Sequence, residues 1–372
     1  MYTKNTHFHF VGIGGIGMSG IANILIRRGY RVSGCDKNSA QKSIVTLQEL
    51  GCQISPEHNS SACHDDSITV LVYSSDVPSN NPEFERARRR NIPVVHRAII
   101  LAELTKQAYT IGVAGSHGKT TTTSLIAHLL LETDCDPTVI VGGYLKNLGS
   151  NAHNGAGKFL VAETDESDRS LVHLFPSIAV LTNIDLEHMN TYQNLQDITA
   201  TFNAYLKKLP FYGVAILCYD DPQIRSLLPF TTARSITYGI TPLAQEADLT
   251  VENLTLYPTY STYVLVTKTG ERHPVTLAIP GEHNVCNSLA ALAAAHEAGV
   301  SFEQAIKGLA NFDGVDRRFT YKGIFQKLEI FDDYGHHPRE VEATLKAARQ
   351  SFPDRRLVLM FQPHRYTRTR DC

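Results

Sequence analysis

The chain has 372 residues, enough for two or three domains of the usual size of about 100–200 residues. Hydrophobic residues make up 42% of it and charged residues 19%, so it can bury several cores and is not expected to be disordered. The formal net charge of −2 leaves no excess of basic residues for a phosphate backbone, which argues against a nucleic-acid-binding protein.

The seven cysteines are an odd number and include no CxxC pair, so neither a disulfide framework nor a structural zinc site is predicted. A reducing cytoplasm is the expected location. From Phe8 to Ile26 the chain is almost uncharged, but five glycines interrupt this stretch. It also lacks the leucine-rich centre of a signal peptide. We therefore expect a soluble protein without a membrane partner.

Short apolar runs alternate with helical patterns through the first hundred residues. The predicted strands are His7–Ile13, Arg31–Asp36 and Ile68–Ser74, and the predicted helices are Ile16–Arg28 and Asn81–Arg90. Strands that alternate with helices are typical of a parallel, doubly wound sheet.

A second series of the same kind begins at Tyr109. Its predicted strands are Tyr109–Ala114, Phe159–Ala162, Ile178–Thr182 and Val214–Cys218, with helices from Lys119 and over Leu195–Lys208. Alternating polarity then predicts a hairpin with strands Tyr263–Thr267 and Pro274–Ile279. The alanine-rich stretch Asn287–Ala298 predicts a helix that ends at Gly299.

A third unit begins near Arg318. It comprises a predicted strand at Leu328–Phe331, a helix at Arg339–Gln350 and a strand at Leu357–Phe361. About 55 residues are few for an α/β domain, so we expect this unit to be incomplete.

The first candidate site is the loop Gly12-Ile-Gly14-Gly15-Ile-Gly17, between a predicted strand and a predicted helix. Its glycines permit a tight turn that lets backbone N–H groups approach a diphosphate, and Asp36 ends the next strand near the expected spacing. NAD, FAD and a UDP-sugar would all suit this loop. A glycine turn needed only for packing is the alternative.

The second candidate site, Gly115-Ser116-His117-Gly118-Lys119-Thr120-Thr121-Thr122, indicates a phosphate-binding loop for ATP or GTP. Lys119 can neutralise phosphate charge, and the Thr120 hydroxyl can bind Mg²⁺. The loop departs from the usual pattern, because Val113 stands at the position of the first glycine.

Acidic and imidazole groups follow the neighbouring predicted strands. Glu163 comes directly after Phe159–Ala162, and His188 comes shortly after Ile178–Thr182. Ligands of open α/β sheets bind along the edge where such strands end, so Glu163 and His188 are candidate groups for Mg²⁺. The alternative is a solvated acidic loop with a hydrogen-bonded histidine.

Later polar segments add further candidates. Asn287 could cap the alanine-rich helix, which is a purely structural explanation. Arg365 and Arg368 together could form a clamp for a carboxylate or a phosphate, although each alone could be an ordinary surface arginine.

These motifs together resemble the Mur ligases of peptidoglycan synthesis, and within that family its alanine-adding members. The resemblance rests on seven ordered stretches: Gly12–Gly20, Gly115–Thr122, Ala162–Asp168, Thr182–His188, His283–Asn287, Asp332–Pro338 and Phe361–Arg368. They run over essentially the whole chain in the family's order, which is far more specific than any one of them.

The resemblance implies an α/β protein of three domains. A Rossmann-like domain with a parallel sheet (residues 1–106) would bind the UDP-sugar, and a P-loop α/β domain (107–316) would bind ATP. A Rossmann-like domain (317–372), incomplete here, would receive the amino acid. The resemblance also implies a cytoplasmic monomer or homodimer that acts on small molecules.

The resemblance further implies site residues. The UDP-sugar residues would be Gly12, Gly14, Gly15, Gly17, Asp36, Ser74 and Ser75. The ATP residues would be Gly115, Ser116, His117, Gly118, Lys119, Thr120, Thr121, His283, Asn287 and Arg318. Thr120, Glu163 and His188 would serve Mg²⁺, and Tyr334, His364, Arg365 and Arg368 would bind the amino acid. Lys119, Glu163, His188 and His336 would be the catalytic residues.

Two positions depart from the family pattern. Ser116 replaces a common threonine, which the loop should tolerate because its backbone cradles the phosphates. His96 stands where arginine is usual, so its role with the UDP-sugar is left open.

The implied reaction joins L-alanine to the carboxylate of UDP-N-acetylmuramate. ATP converts that carboxylate to an acyl phosphate, which the alanine amine attacks, and a histidine could take the amine proton. Three alternatives remain at this point: a ligase of the same family that adds a preformed tripeptide, an NAD-dependent dehydrogenase, and an inactive nucleotide-binding remnant.

Overall fold

A computed structural model describes residues 5–38, 40–58, 61–146, 148–364 and 366–371. Within these residues the strands form three sheets. We call the parts of the chain that carry them the first, central and third units. The domain boundaries at residues 106 and 316 stay a prediction.

The first unit is a parallel sheet with strand order β3-β2-β1-β4-β5. Its elements are β1 (His7–Val11), α1 (Ile16–Arg27), β2 (Arg31–Cys35), α2 (Lys42–Glu49), β3 (Gln53–Ser55), β4 (Val70–Tyr73), α3 (Pro82–Arg89), β5 (Val94–His96) and α4 (Arg97–Thr105). The predicted elements are confirmed here to within about two residues. The doubly wound order places the Gly12–Gly17 loop at the carboxyl edge of β1.

The central unit contains a large mixed sheet with α-helices packed against it. Its elements are β6 (Tyr109–Ala114), α5 (Lys119–Leu131), β7 (Thr138–Leu145), β8 (Ser150–His153), β9 (Phe159–Glu163), β10 (Ile178–Leu181), α6 (Leu195–Leu206), β11 (Val214–Cys218), α7 (Pro222–Leu227), β12 (Arg234–Tyr238), β13 (Leu249–Leu256), β14 (Ser261–Thr267), β15 (Arg272–Leu277), α8 (Glu282–Glu297) and α9 (Phe302–Ala310). The order β15-β14-β13-β12-β11-β10-β6-β9-β7-β8 puts β6 between β10 and β9, so the P-loop, Glu163 and the 182–188 segment share one edge.

The helix predicted to begin at Asn287 begins instead at Glu282. Glu282 and His283 are exposed in its first turn, so the apolar pattern of the sequence starts only one turn later. Asn287 is buried inside α8, and its amide contacts Asn284 Oδ1 at 3.3 Å. The prediction that Asn287 caps the helix is therefore wrong.

The third unit contains β16 (Thr320–Phe325), β17 (Leu328–Asp332), α10 (Pro338–Ser351) and α11 (Tyr366–Asp371). β16 and β17 form an antiparallel pair. The predicted strand at Leu357–Phe361 is wrong, because this segment pairs with no strand among the described residues and has no regular structure. Apolar composition predicts burial in a sheet, but a strand also needs a neighbour for its backbone groups.

Apolar packing joins the first and central units. Side chains of α1, including Ile21 and Ile24, belong to the same core as Ile140 and Ala152 of the central sheet. Asn151 adds a hydrogen bond by donating its amide to the carbonyl of Ile16 at 2.6 Å. Among the described residues, no helix has the length and apolar composition to cross a membrane.

Ionic contacts join the third unit to the P-loop. The imidazole of His117 lies with Nε2 3.1 Å from Asp185 Oδ2 and Nδ1 3.4 Å from Glu340 Oε1, at the start of α10. Arg339 of the same helix lies 3.0 Å from the Asp185 carboxylate. Burial alone would lower the pKa of His117, but the hydrogen bonds from its ring to Asp185 and Glu340 raise it to about 9.

This contact predicts a pH-dependent stability. Between the ordinary histidine pKa of 6.5 and about 9, folded His117 keeps a proton that the unfolded chain has lost. The free energy of unfolding should therefore fall as pH rises through this window, by an amount on the order of 3 kcal/mol. Urea denaturation of the whole chain from about pH 6 to pH 9.5 measures this loss.

Two variants test the assignment to His117. His117→Gln and Glu340→Gln should both be less stable than the parent protein at neutral pH and should both show a flatter alkaline slope. His153→Gln, which removes a half-buried histidine paired with Asp136 elsewhere on the central unit, should keep the parent's slope. An unchanged slope in the His117 variant would assign the pH dependence to another group.

Candidate active site

The three units meet at a cleft with a volume of about 330 Å³. Side chains or backbone from all three units line it. The predicted site residues among them are Gly17, Ser116, Gly118, Lys119, Thr120, Glu163, His188, Arg318, Tyr334, His336, His364 and Arg368. Motifs far apart in the sequence thus face one space.

The P-loop owes its shape to two glycines with positive φ. Gly118 is left-handed (φ +78°) and directly precedes α5, and Gly115 has φ +136°. A Cβ at Gly115 would lie 2.1 Å from the hydroxyl of Thr182, so only glycine fits there. Asn183 holds the loop by accepting the N–H of His117 at 2.8 Å and donating to its carbonyl at 3.0 Å.

Lys119 points back into its own loop. Its ammonium donates to the carbonyls of Gly115 and Ser116 at 2.6 and 3.0 Å, and to Glu166 Oε1 at 2.7 Å. Burial alone would lower the pKa of Lys119, but the Glu166 carboxylate raises it above the ordinary value. A charged ammonium therefore sits where a phosphate-binding loop needs one.

Glu163 lies beside Thr120, as the sequence predicts. The Thr120 hydroxyl donates to Glu163 Oε1 at 2.9 Å, and the N–H of Gly142 donates to Oε2 at 2.7 Å. Burial raises the pKa of Glu163 above the ordinary value, while Lys119 opposes this shift.

His188 lies beside two acids that the sequence did not single out. Its Nε2 is 3.4 Å from Glu166 Oε1 and 3.7 Å from Glu187 Oε2, and its backbone is left-handed (φ +56°). Burial would raise the pKa of Glu187, but His188 and Arg368 hold it below the ordinary value. The sequence feature that could have pointed to Glu166 and Glu187 is their position after a predicted strand. Many acids in loops have such a position, so it does not single these two out.

The oxygen donors of this region fit Mg²⁺. Glu166, Glu187 and His188 offer ligand atoms within 4.8 Å of one another, and Thr120 and Glu163 add a hydroxyl and a carboxylate. Glu166 Oε2 is buried and has no hydrogen-bond partner among the described residues, so this oxygen is available for a ligand. Oxygen atoms are hard ligands, so a group of ligands made mostly of oxygens binds Mg²⁺ in preference to a soft metal ion.

The first glycine loop is held by Asp36 and approached by an arginine. The N–H of Gly14 donates to one Asp36 carboxylate oxygen at 2.8 Å, and the N–H of Asn38 donates to the other at 2.9 Å. A Cβ at Gly17 would lie 2.8 Å from the Arg97 guanidinium. Gly12, with φ +77°, and Gly15 complete the turn outside the cleft lining.

Arg97 links the first unit to the central unit. Its guanidinium lies 2.5 Å from Asp165 Oδ2, and both residues line the cleft. Next to this pair, the Ser75 hydroxyl lies 3.0 Å from His96 Nε2 and 2.6 Å from Asp168. Burial lowers the pKa of His96. We did not predict a role for Arg97 from the sequence, because the neighbouring His96 was considered as the contact residue there instead.

The third unit contributes an aromatic and basic group. His336 Nδ1 lies 2.9 Å from the Tyr334 carbonyl, and its ring is 5.6 Å from that of His364. Arg368 Nη2 donates to Glu187 Oε1 at 2.6 Å, while its buried Nε has no hydrogen-bond partner among the described residues. Arg365 lies outside the described residues.

Several predicted residues lie outside the cleft lining, among them Asn287, Thr121, His283 and Ser74. Asn287 nevertheless contacts the P-loop, because a Cβ at Gly118 would lie 2.7 Å from its Oδ1. Thr121 is buried in the first turn of α5, His283 is exposed at the start of α8, and Ser74 is half-buried after β4. Their nucleotide contacts stay predictions.

Family models match most of the chain. The model described as "Mur ligase family, catalytic domain" covers residues 7–109, "Mur ligase middle domain" covers 113–295, and "Mur ligase, glutamate ligase domain" covers 317–371.

Curated relatives are similar along almost the whole chain. The UDP-N-acetylmuramate–L-alanine ligase of Desulfotalea psychrophila is 47% identical over 370 residues, which is 99% of this chain and 79% of that protein. The enzyme of the same name from Laribacter hongkongensis is 48% identical over 380 residues, covering 100% of this chain and 80% of that protein.

Solved structures share the fold. The UDP-N-acetylmuramate-alanine ligase of Thermotoga maritima has a TM-score of 0.84 at 28% identity, over 96% of this chain and 81% of its own. A UDP-N-acetylmuramate:L-alanyl-gamma-D-glutamyl-meso-diaminopimelate ligase from Neisseria meningitides has a TM-score of 0.76 at 25% identity, over 84% of this chain and 99% of its own. On this evidence the chain belongs to the Mur ligase family.

Proposed function

We propose that this protein uses ATP to ligate L-alanine to the carboxylate of UDP-N-acetylmuramate, giving UDP-N-acetylmuramoyl-L-alanine, ADP and phosphate. The observation that carries the proposal is the cleft, where the P-loop, the first glycine loop and the basic side chains of the third unit face one another. The identity of 47–48% to alanine-adding ligases over nearly the whole chain supports the same substrates. We also propose that the protein acts in the cytoplasm as a monomer or homodimer.

The chemistry requires two steps. A carboxylate is a poor electrophile, so its oxygen first attacks the γ-phosphorus of ATP, which forms an acyl phosphate and releases ADP. The alanine amine then attacks the acyl carbon, and the C–O bond to phosphate breaks. Both steps move negative charge over phosphate oxygens, so fixed positive charge and backbone donors stabilise the transition states.

The P-loop supplies those groups on the ATP side. The first turn of α5, directly after Gly118, has backbone N–H groups without acceptors inside the helix, and Lys119 supplies a positive charge at the same place. For Lys119 to reach a phosphate, its bonds to the loop carbonyls or to Glu166 must be exchanged for bonds to the nucleotide. The first glycine loop, with Arg97 beside Gly17, binds the diphosphate of the sugar nucleotide.

Thr120, Glu163 and His188, with Glu166 and Glu187, would hold Mg²⁺. When bound, Mg²⁺ neutralises charge on the phosphoryl oxygens. Lys119, His188 and Arg368 lie against the same acids.

The amino-acid side is assigned to the third unit. The Arg368 Nε donor has no partner among the residues that the structure describes and can donate to the alanine carboxylate while Nη2 stays on Glu187. His336 lines the cleft and takes the proton that the amine loses on forming the amide. Tyr334 closes this side of the cleft, with its ring 4.7 Å from the Arg317 guanidinium.

The alternatives are less well supported. The tripeptide ligase of Neisseria meningitides is only 25% identical, against 47–48% for the alanine-adding relatives. An NAD-dependent dehydrogenase would use the first glycine loop, but it would have no use for the second loop with Lys119 at the start of α5. An inactive remnant would bind ATP without turnover.

The test is phosphate release by the purified chain with Mg·ATP and UDP-N-acetylmuramate, with and without L-alanine. Alanine-dependent release, with the ligated product identified by mass, is expected. Release that depends on L-alanyl-γ-D-glutamyl-diaminopimelate instead would support the tripeptide ligase, and ATP binding without release would support the remnant.

Replacing the P-loop lysine tests the assignment of the ATP site. Lys119→Met removes the positive charge and should lower the rate of phosphate release by at least about a hundredfold. Lys106→Met, at an exposed lysine paired with Glu103, should not.

Replacing the Glu163 carboxylate tests the magnesium assignment. Glu163→Gln keeps an oxygen for the Thr120 hydroxyl but removes the charge that attracts the cation. The Mg²⁺ concentration for half-maximal phosphate release should rise at least about tenfold, with the rate partly restored at high Mg²⁺.

The control is Glu246→Gln, which removes an exposed acid away from the cleft and should leave the Mg²⁺ dependence unchanged. Mn²⁺ binding measured by electron paramagnetic resonance gives a second readout without turnover. Equal Mn²⁺ affinity in the Glu163 variant and the parent protein would show that Glu163 is not a metal ligand.

The ligation rate should rise with pH, because only the neutral amine attacks. The ordinary α-amino pKa is about 8, so kcat/KM for L-alanine should increase at least about fivefold between pH 7 and pH 8. Initial rates of product formation measure this, with circular dichroism at each pH to confirm that the protein stays folded. A flat profile between neutral pH and about 9 would contradict rate-limiting attack by the amine.

A further inference from the structure

The first unit buries four metal-ligating side chains in one place. His9, Cys35, Cys63 and Glu83 offer ligand atoms that all lie within 4.8 Å of one another. All four residues are buried, and none lines the cleft. The proposed ligase reaction therefore makes no use of this cluster.

The four side chains come from four separate elements. His9 lies on β1, Cys35 ends β2, Cys63 lies on the 3-10 turn Ser61–His64, and Glu83 lies in the first turn of α3. No two of them are close in the sequence. The absence of a CxxC pair argued against a zinc site, but that argument concerns local motifs and not ligands that the fold brings together.

The distances between these ligand atoms are close to those around a tetrahedral ion. Zinc lies about 2.3 Å from sulfur and about 2.0–2.2 Å from nitrogen or oxygen, which separates neighbouring ligand atoms by roughly 3.3–3.8 Å. His9 Nε2 is 3.1 Å from Glu83 Oε2, and Cys35 Sγ is 3.1 Å from Glu83 Oε1. Both contacts are a few tenths of an ångström shorter than this range and involve different oxygens of the Glu83 carboxylate, so these side chains must move apart to bind the ion.

The surroundings orient the ligands. His9 Nδ1 lies 2.9 Å from the Ser33 hydroxyl, which fixes the ring with Nε2 toward the cluster. Ser33 is in turn 2.7 Å from His7 Nε2. Hydrogen bonding of the second ring nitrogen is the usual arrangement for a metal-binding histidine.

A further side chain borders the cluster. His58 is half-buried, with Nδ1 2.9 Å from Cys35 Sγ and 3.7 Å from Glu83 Oε1. Two thiolates, one carboxylate and a neutral imidazole around Zn²⁺ carry one net negative charge, so the ion offsets most of the charge that its buried ligands bring.

We propose that His9, Cys35, Cys63 and Glu83 bind one Zn²⁺ ion as a structural site. The ion displaces the two thiol protons and the proton that His9 Nε2 holds toward Glu83, all of which leave to solvent, and no oxidant or reductant takes part. Because the protein fills all four positions, no place remains for a reacting water. The ion would tie α3 and the Ser61–His64 turn to the sheet that carries the first glycine loop.

The experiment uses the whole chain, purified under reducing conditions without chelators. Metal analysis should find about one zinc per chain. After exchange into Co²⁺, the protein should show a thiolate-to-cobalt charge-transfer band and the visible bands of a tetrahedral ion. Added Zn²⁺ should remove these bands and raise the melting temperature of metal-free protein.

Substitutions locate the site. Cys63→Ser should lose the charge-transfer intensity in large part and bind Zn²⁺ at least about tenfold more weakly. Cys52→Ser is the matched control, since Cys52 is a buried cysteine of the same unit whose thiol contacts the Val32 carbonyl. It should keep the spectrum and the affinity of the parent protein.

Three results would each overturn the proposal. The parent protein could take up neither Zn²⁺ nor Co²⁺, its cobalt spectrum could lack thiolate bands, or Cys63→Ser could leave that spectrum unchanged. A Cys35–Cys63 disulfide in the reduced preparation would do the same. The parent protein alone decides the first two, so the test stands even if the variant fails to fold. None of these measurements depends on ligase activity.

Discussion

The buried ammonium of Lys119 is the charge around which the cleft is arranged. It sits at the start of α5, bonded to two carbonyls of its own loop and to Glu166. A charge without a partner at this depth would be costly, so an acid had to be placed beside it. Glu166 in turn lies next to His188, and Glu187 lies between His188 and Arg368. One chain of contacting ionisable side chains thus runs from the P-loop to the third unit.

The two junctions between the units are held together by different kinds of interaction. The first and central units share an apolar core through α1, which fixes the distance between the two glycine loops. The third unit is held at the P-loop by charged groups, chiefly His117 with Glu340 and Arg368 with Glu187. Ionic contacts depend on pH, and they compete with any charged ligand that enters the cleft. The third unit is therefore the part whose position ligands can alter most easily.

The sequence predicted those parts of the site that depend on local backbone geometry. β6 ends at Ala114 and α5 starts at Lys119, as the glycine pattern requires, because a phosphate-binding turn must join a strand to a helix. Glu163 was predicted from the same rule, since the end of β9 meets the end of β6 at one sheet edge. Local periodicity was also enough to predict the parallel sheet of the first unit.

Other features depend on which distant groups the fold brings together, and no local spacing encodes them. Glu187 and Arg368 are 181 residues apart, and their pairing gives Glu187 a role that the sequence could not separate from that of an ordinary loop acid. The same reason explains the four buried metal-ligating side chains of the proposed zinc site, whose elements meet only in the folded sheet. It also explains the wrong strand at Leu357–Phe361, because an apolar run predicts that a strand is possible but not that a neighbouring strand exists. Sequence patterns therefore predict the backbone of this site better than they predict its charges.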